Sequence, residues 1–198
     1  MPLPVEDYAL IGDCRTAALI GRDGSIDWLC LPRFDSGACF AALLGEPKHG
    51  RWLIAPAGKV SSTQRRYRDG TLVLETGFET DEGAVRIIDS MPLSNERWDI
   101  VRIVEGLRGQ VAMRMELIIR FDYGSVVPWV RQTDGVLLMT AGPHTLELRT
   151  AVATRGENMT TVAEFEISAG QRMSFWMACR RVKASSCRAP SGWPRLSR

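Results

Sequence analysis

The 198-residue sequence has no uncharged apolar run near the roughly 18 residues that a membrane-spanning helix needs, so an integral helical membrane protein is excluded. It has two histidines, and its five cysteines (14, 30, 39, 179 and 187) include no pair with a two-residue gap, so neither a zinc knuckle nor a Cys-His nucleophile is indicated. An odd cysteine count without a cationic apolar leader reads as reduced, packed thiols in a cytoplasmic protein. No glycine-rich phosphate loop is present, because Gly21-Arg22-Asp23-Gly24 lacks the following Lys and helix. No cofactor or metal site is expected.

Acidic residues also run out. None follows Glu166, whereas seven of the 25 Lys and Arg lie beyond it, which leaves 18 against all 23 acids in residues 1–166, a balance of −5. A mildly acidic body offers no footprint for nucleic acid. Residues 180–198, "RRVKASSCRAPSGWPRLSR", have no apolar periodicity and are expected to form a basic, disordered tail behind a single domain over 1–179.

What the sequence has in abundance is period-two alternation. From Val111 to Phe121 the odd positions are Val, Met, Met, Leu, Ile and Phe, with Arg114, Glu116 and Arg120 on the opposite face. Similar alternation marks 72–78, 85–91, 146–148, 163–167 and 173–179. Turn pairs punctuate these runs at Asp23-Gly24, Asp69-Gly70, Glu82-Gly83, Arg108-Gly109, Asp134-Gly135 and Ala169-Gly170. The pattern predicts an all-β antiparallel sandwich. One short helix is expected over Gly37–Leu44, capped by Ser36, stopped by Gly45 and followed by Pro47.

Two groups of residues are candidates for function. Arg15, Asp27, Trp28, Arg33, Phe34 and Asp35 place charge beside aromatic surface in an apolar block, chemistry that suits recognition of a sugar or carboxylate, or a polar seam against another domain. The plainer reading is that Asp27 and Asp35 hold turns while both arginines lie on the surface. Among six tryptophans, Trp28 and Trp52 are expected in the core, and Trp98 and Trp129 on loops where they could stack on sugar rings. Glu75, Glu79, Glu116, Glu164 and Glu166 fall on the polar faces of predicted strands and are read as solvated, so no catalytic pair is assembled by spacing.

The block "IGDCRTAALIGRDGSIDWLCLPRFDSGACFAALLG", followed by "GRWLIAPAG", "RRYRDGTLVLETGFET", "VRIIDSMPL", "IVRIVEGLRGQVAMRMELIIRFDYG", "VVPWVRQTDG" and "LRTAVATRGENMTTVAEFEISAGQR", resembles the N-terminal β-sandwich domain of bacterial glycoside hydrolase family 15, the glucoamylase and trehalase group. The resemblance covers about Leu3 to Phe175. It implies an antiparallel supersandwich preceding an (α/α)6 barrel, whose two glutamates carry out an inverting attack on an α-glucosidic bond. No position here matches those glutamates, so no catalytic residue is carried over. The resemblance implies a non-catalytic accessory domain whose partner is the barrel, with Arg15, Trp28, Arg33, Phe34 and Asp35 at the interface or bordering the cleft. A stand-alone module binding α-glucan or trehalose, and one subunit of a split glycosidase, are the alternatives. Where the resemblance ends, near Met173, a truncated or frame-shifted reading frame is expected.

Overall fold

The computed structural model describes residues 2–94 and 97–181, and alternation becomes fifteen strands among them. In chain order these are β1 (Tyr8–Gly12), β2 (Ala17–Gly21), β3 (Ser25–Cys30), β4 (Ala38–Phe40), β5 (Arg51–Pro56), β6 (Val60–Tyr67), β7 (Leu74–Thr80) and β8 (Gly83–Ser90). They continue as β9 (Trp98–Ile118), β10 (Trp129–Thr133), β11 (Val136–Ala141), β12 (His144–Thr150), β13 (Arg155–Glu157), β14 (Thr160–Ser168) and β15 (Arg172–Arg181). Every pairing is antiparallel. The all-β sandwich class expected from the sequence is what forms.

Two layers share one long strand. In the first, β1-β2-β3-β5 lead to the C-terminal half of β9, with β14 and β13 beyond it and β4 attached to β3. In the second, β6-β7-β8 lead to the N-terminal half of β9, followed by β15, β12, β11 and β10. Inward residues of both layers, among them Trp52, Ile54, Met113 and Met115 from one and Ile87, Val104, Leu146 and Phe175 from the other, form one continuous apolar core.

The strand changes layers at a bulge. Ala84 lies opposite Arg108 and Val85 opposite Gly106, so Leu107 has no partner on β8 and is half exposed. One extra residue inverts the side-chain phase: Ile100, Arg102 and Val104 face inward before it, and Val111, Met113, Met115 and Leu117 after it. Arg108-Gly109, expected as a hairpin turn, is therefore part of this bulge inside a continuous strand. Gly109 has φ +65°, and a Cβ there would lie 2.1 Å from the Glu82 carbonyl oxygen. The helix expected over Gly37–Leu44 is also corrected, to strand β4 and a single 3-10 turn at Ala42–Leu44. Its apolar residues face two ways: Ala38 and Ala41 pack with Cys30, whereas Cys39 and Phe40 enter the main core, which an extended segment permits and one helical stripe does not. Of the tail expected over 180–198, Arg180 and Arg181 complete β15, and the rest lies outside the described residues.

Arg102 stands in the middle of the inward row, fully buried. Its Nε donates to Asp89 Oδ1 at 2.8 Å, Nη1 to the Trp52 carbonyl at 2.6 Å and Nη2 to the Gly24 carbonyl at 2.7 Å, and its guanidinium lies 5.2 Å from the Trp52 ring centre. One side chain thus bridges the two layers. On the outer face of the second layer a charge ladder crosses the strands. Glu75 accepts from Arg66, Arg68 and Arg86 at 2.9, 2.7 and 3.3 Å, and Glu105 from Arg86 and Arg172 at 2.5 and 2.6 Å. Glu75, read from sequence as solvated, is 4% exposed, and Glu116 is covered between Arg51 and Arg114; neighbouring arginine stems shield both. The Arg68 hydrogen bond, then that of Arg66, holds Glu75 below the usual carboxylate range, and the Arg86 and Arg172 hydrogen bonds do the same for Glu105.

Asp89→Ala, which strands the buried Arg102 charge, is expected to cost about 3–5 kcal/mol in urea unfolding; a loss under about 1 kcal/mol would show that the pair does not join the layers. The depressed Glu75 and Glu105 carboxyls contribute stability that is complete above the unfolded carboxyl value near ~4.3 and is lost as pH falls through their lower folded values. Urea midpoints between neutral pH and pH ~3 should fall over that window. The fall should shrink in the Glu75→Gln/Glu105→Gln double variant.

Candidate functional site

The N-terminal residues picked out by the sequence meet at one end of the first layer. Asp13 Oδ1 accepts from the backbone N–H of both Arg15 and Thr16 at 3.0 Å, which fixes the β1–β2 turn, where Cys14 takes φ +70°. The Thr16 hydroxyl donates to the Cys30 carbonyl at 2.5 Å, and the Phe34 N–H donates to the Arg15 carbonyl at 3.1 Å. The loop after β3 is thereby pinned to the turn before β2.

Inside that loop, Arg33 and Asp35 form a two-pronged ion pair, 2.9 and 3.1 Å, and the Ser36 N–H donates to the Arg33 carbonyl. Both charged side chains are about 70% exposed and Phe34 is 63% exposed, so the loop presents an aromatic ring flanked by a surface ion pair. The turn itself is held by Ser36, whose Oγ accepts the Arg33 N–H at 3.2 Å, while the Asp35 carboxylate bonds the Arg33 side chain. Asp27 does not hold a turn: it lies in β3, buried, accepting from Ser25 Oγ at 2.5 Å and Tyr8 Oη at 2.7 Å.

Tryptophans connect this loop to the rest of the end. Trp28 is half-buried against Cys30, Ala38 and Ala41, and its ring centre lies 6.0 Å from that of Tyr123. Tyr123 in turn donates its N–H to the Ala38 carbonyl. Trp98, expected on a loop, instead opens β9 with its ring packed on the core and the Arg15 guanidinium 5.8 Å from its centre. Its side chain is partly buried there. Trp129 opens edge strand β10 and is 87% exposed. The structure brings Arg15, Trp98 and the Arg33–Asp35 loop together, sets Trp28 against Tyr123, and places Trp129 at a groove between the layers.

That groove has a volume of about 440 Å³ and is lined by Leu117, Ile119, Arg120, Val130, Met139 and Met159, with Trp129 at its edge. The sequence places Arg120 on the polar face of the Val111–Phe121 alternation, and the structure corrects this. β9 ends at Ile118, the alternation ends with it, and Ile118, Ile119 and Arg120 are all buried. The Arg120 Nη1 donates to the Ile119 carbonyl at 2.7 Å, and both Nη atoms lie 3.4 Å from the Met159 carbonyl oxygen. Sequence reasoning misses both buried arginines. The available signal is a single arginine inside an apolar run, "IVRIV" and "LIIRF".

Among the described residues no group of three or more His, Cys, Asp or Glu side chains is placed to hold a metal ion, and no helix is long and apolar enough to cross a membrane. Burial pushes the Cys30 and Cys39 thiols up and Cys179 to about 11, so these are packed, protonated thiols at neutral pH.

Because Phe34 and the Arg33–Asp35 pair are exposed, Phe34→Ala or Arg33→Ala/Asp35→Ala should shift the urea unfolding free energy of this chain by less than about 1 kcal/mol. A larger loss would make the loop a structural staple of the domain.

Comparison with known proteins adds three findings. A profile described as "Trehalase-like, N-terminal" matches residues 1–181. A trehalase of Mycolicibacterium smegmatis is 33% identical over 142 residues, covering 62% of this chain, and one of Mycobacterium tuberculosis is 32% identical over 139 residues, covering 61%. Trehalase 2 of Sulfolobus acidocaldarius is 37% identical over 120 residues, again 61% of this chain. The chain spans only about a fifth of these curated relatives, 21, 20 and 19% of their lengths. With that family match extending over residues 1–181, the chain belongs to the trehalase-like N-terminal domain family.

Proposed function

We propose that this chain acts as the non-catalytic N-terminal accessory domain of a glycoside hydrolase family 15 protein, packing against an (α/α)6 barrel that hydrolyses α-glucosidic bonds. The observation that carries this reading is the commitment of its buried acids. Glycoside hydrolysis needs one carboxyl kept protonated at working pH beside a second, ionised one across a cleft. Here Glu75 and Glu105 are held ionised by arginines, Asp89 is consumed by Arg102, and Asp99 forms an ion pair with Arg97 at 3.2 Å. Asp23, whose carboxyl burial pushes up, sits on the β2–β3 turn with its Oδ1 accepting the Ser25 N–H. Acids used this way brace a scaffold.

In this reading Arg15, Trp28, Arg33, Phe34 and Asp35 border the partner's cleft. The loop from Arg33 to Asp35 suits that role because it is anchored at its base and exposed at its tip. A second reading, a module that binds α-glucan or trehalose by itself, is favoured by one observation, the exposed ring of Trp129.

Purified chain incubated with trehalose, maltose and a malto-oligosaccharide is expected to release no glucose above a buffer blank. Turnover that disappears when one carboxylate is changed would overturn the accessory reading. A chimera in which residues 2–181 replace the matching fifth of the M. smegmatis trehalase is expected to hydrolyse trehalose, and Arg33→Ala/Asp35→Ala within it to lower kcat/KM about tenfold or more, the scale of one misplaced cleft-bordering contact.

A further inference from the structure

The sandwich is open at one corner. Val130, Met139, Leu146 and Cys179 lie opposite one another across β10, β11, β12 and β15, in one inward-facing row. The last three are buried, yet Val130 is 51% exposed. Around it Trp129 is 87% exposed and Met159 73%, and Tyr123, Val126 and Val127 are each more than 40% exposed. Five large apolar side chains thus stand in solvent within residues 123–130, beside the groove lined by Leu117, Ile119 and Met139. Such concentration marks a surface made to be covered.

Charge indicates what covers it. Two arginines are buried among the described residues. Arg102 sits on Asp89. Arg120, in the groove wall, donates only to the carbonyls of Ile119 and Met159 and has no carboxylate within 4.0 Å among the described residues. A guanidinium in an apolar wall without a counter-charge is costly, and an incoming carboxylate would relieve that cost. The apolar lining offers few groups to hydrogen-bond the many hydroxyls of a sugar, and suits a peptide segment better.

Topology indicates where the segment comes from. Trp129, Thr140, Thr145 and Arg180 lie opposite one another across the same four strands. At about 4.8 Å per strand, the chain therefore finishes β15 about 14 Å from the backbone of Trp129. Resting on the accessory-domain reading, we propose that this groove seats an apolar, carboxylate-bearing segment of the part that follows this domain in the trehalases, and that its carboxylate pairs with Arg120.

Hydrogen exchange on this chain alone and on the M. smegmatis chimera tests it. In the chimera, amides of residues 123–131 and 159–161 should exchange at least tenfold more slowly. Trp129→Ala should leave the melting temperature of the isolated chain unchanged and abolish that protection. Arg120→Met should hold or raise the isolated chain's melting temperature, since it removes a lone buried charge, and lower that of the chimera. Protection confined to other faces, with the groove unchanged, would overturn this proposal and leave the accessory reading standing. Absence of protection anywhere, or a chimera that does not fold, counts against both. If Arg120→Met destabilises the isolated chain as much as the chimera, the arginine is structural and the carboxylate assignment fails. A dimer of this chain in light scattering that Trp129→Ala dissolves assigns the groove to a second copy instead. Saturable, Trp129-dependent quenching by trehalose or maltoheptaose assigns it to sugar.

Discussion

The two layers are held in register by a charge that has nowhere else to go. Arg102 enters the core from the shared strand and satisfies itself on Asp89 of β8 and on the backbone carbonyls of Gly24 and Trp52 in the opposite layer. Apolar packing is nearly indifferent to small slides between sheets, whereas a guanidinium with three directed bonds in a low-dielectric interior is not. Gly24 shows how closely the backbone is drawn in: at φ +86° it lies where a Cβ would be 2.3 Å from the Ile54 carbonyl oxygen. Removing the charge and its partner together would leave an apolar sandwich with a less determined offset.

The same division of labour runs across the molecule, with each buried charge placed differently. Arg102 joins the layers, the Glu75–Glu105 ladder ties five strands on an outer face, and Arg120 waits at the open corner. Glu75, Glu105 and Asp89 are each bound to arginines, whereas buried Asp27 is held by the hydroxyls of Ser25 and Tyr8. The loop from Arg33 to Asp35 follows a related pattern, fastened at its base by backbone hydrogen bonds and carrying a surface ion pair at its exposed tip.

Most strands are legible because one face of each is buried, which imprints period two on the sequence. The tight turns are legible for a related reason: Asp134 and Gly135 both adopt positive φ between paired Thr133 and Val136, the geometry that the pair Asp-Gly favours. Legibility fails wherever tertiary context overrides the local signal. Arg108-Gly109 has turn chemistry but lies opposite Ala84 and Gly83 at the start of β8, where β9 itself runs on to pair with β14 and β5. Gly37–Leu44 has helical caps but apolar residues needed on two sides. Glu75 and Arg120 look solvated in any strand template, and their burial depends on arginine stems and on a strand end that no local window contains. The loop residues Arg33, Phe34 and Asp35 are legible as a cluster with Arg15, whereas Trp98 is not, because the start of β9 lies beyond "PLSNER", a stretch with turn composition.

The sharing of β9 has a consequence for synthesis. Its N-terminal half needs β8, made before it, and β15, the last strand described; its C-terminal half needs β5 and β14. Contacts therefore join residues made early to residues made late: the first layer closes only once β14 has been made to Ser168, and the second only when about residue 180 has left the ribosome. Until then the longest strand of the nascent chain carries unpaired edges rich in Val, Ile and Met, the kind of surface that is prone to aggregation while a chain is incomplete.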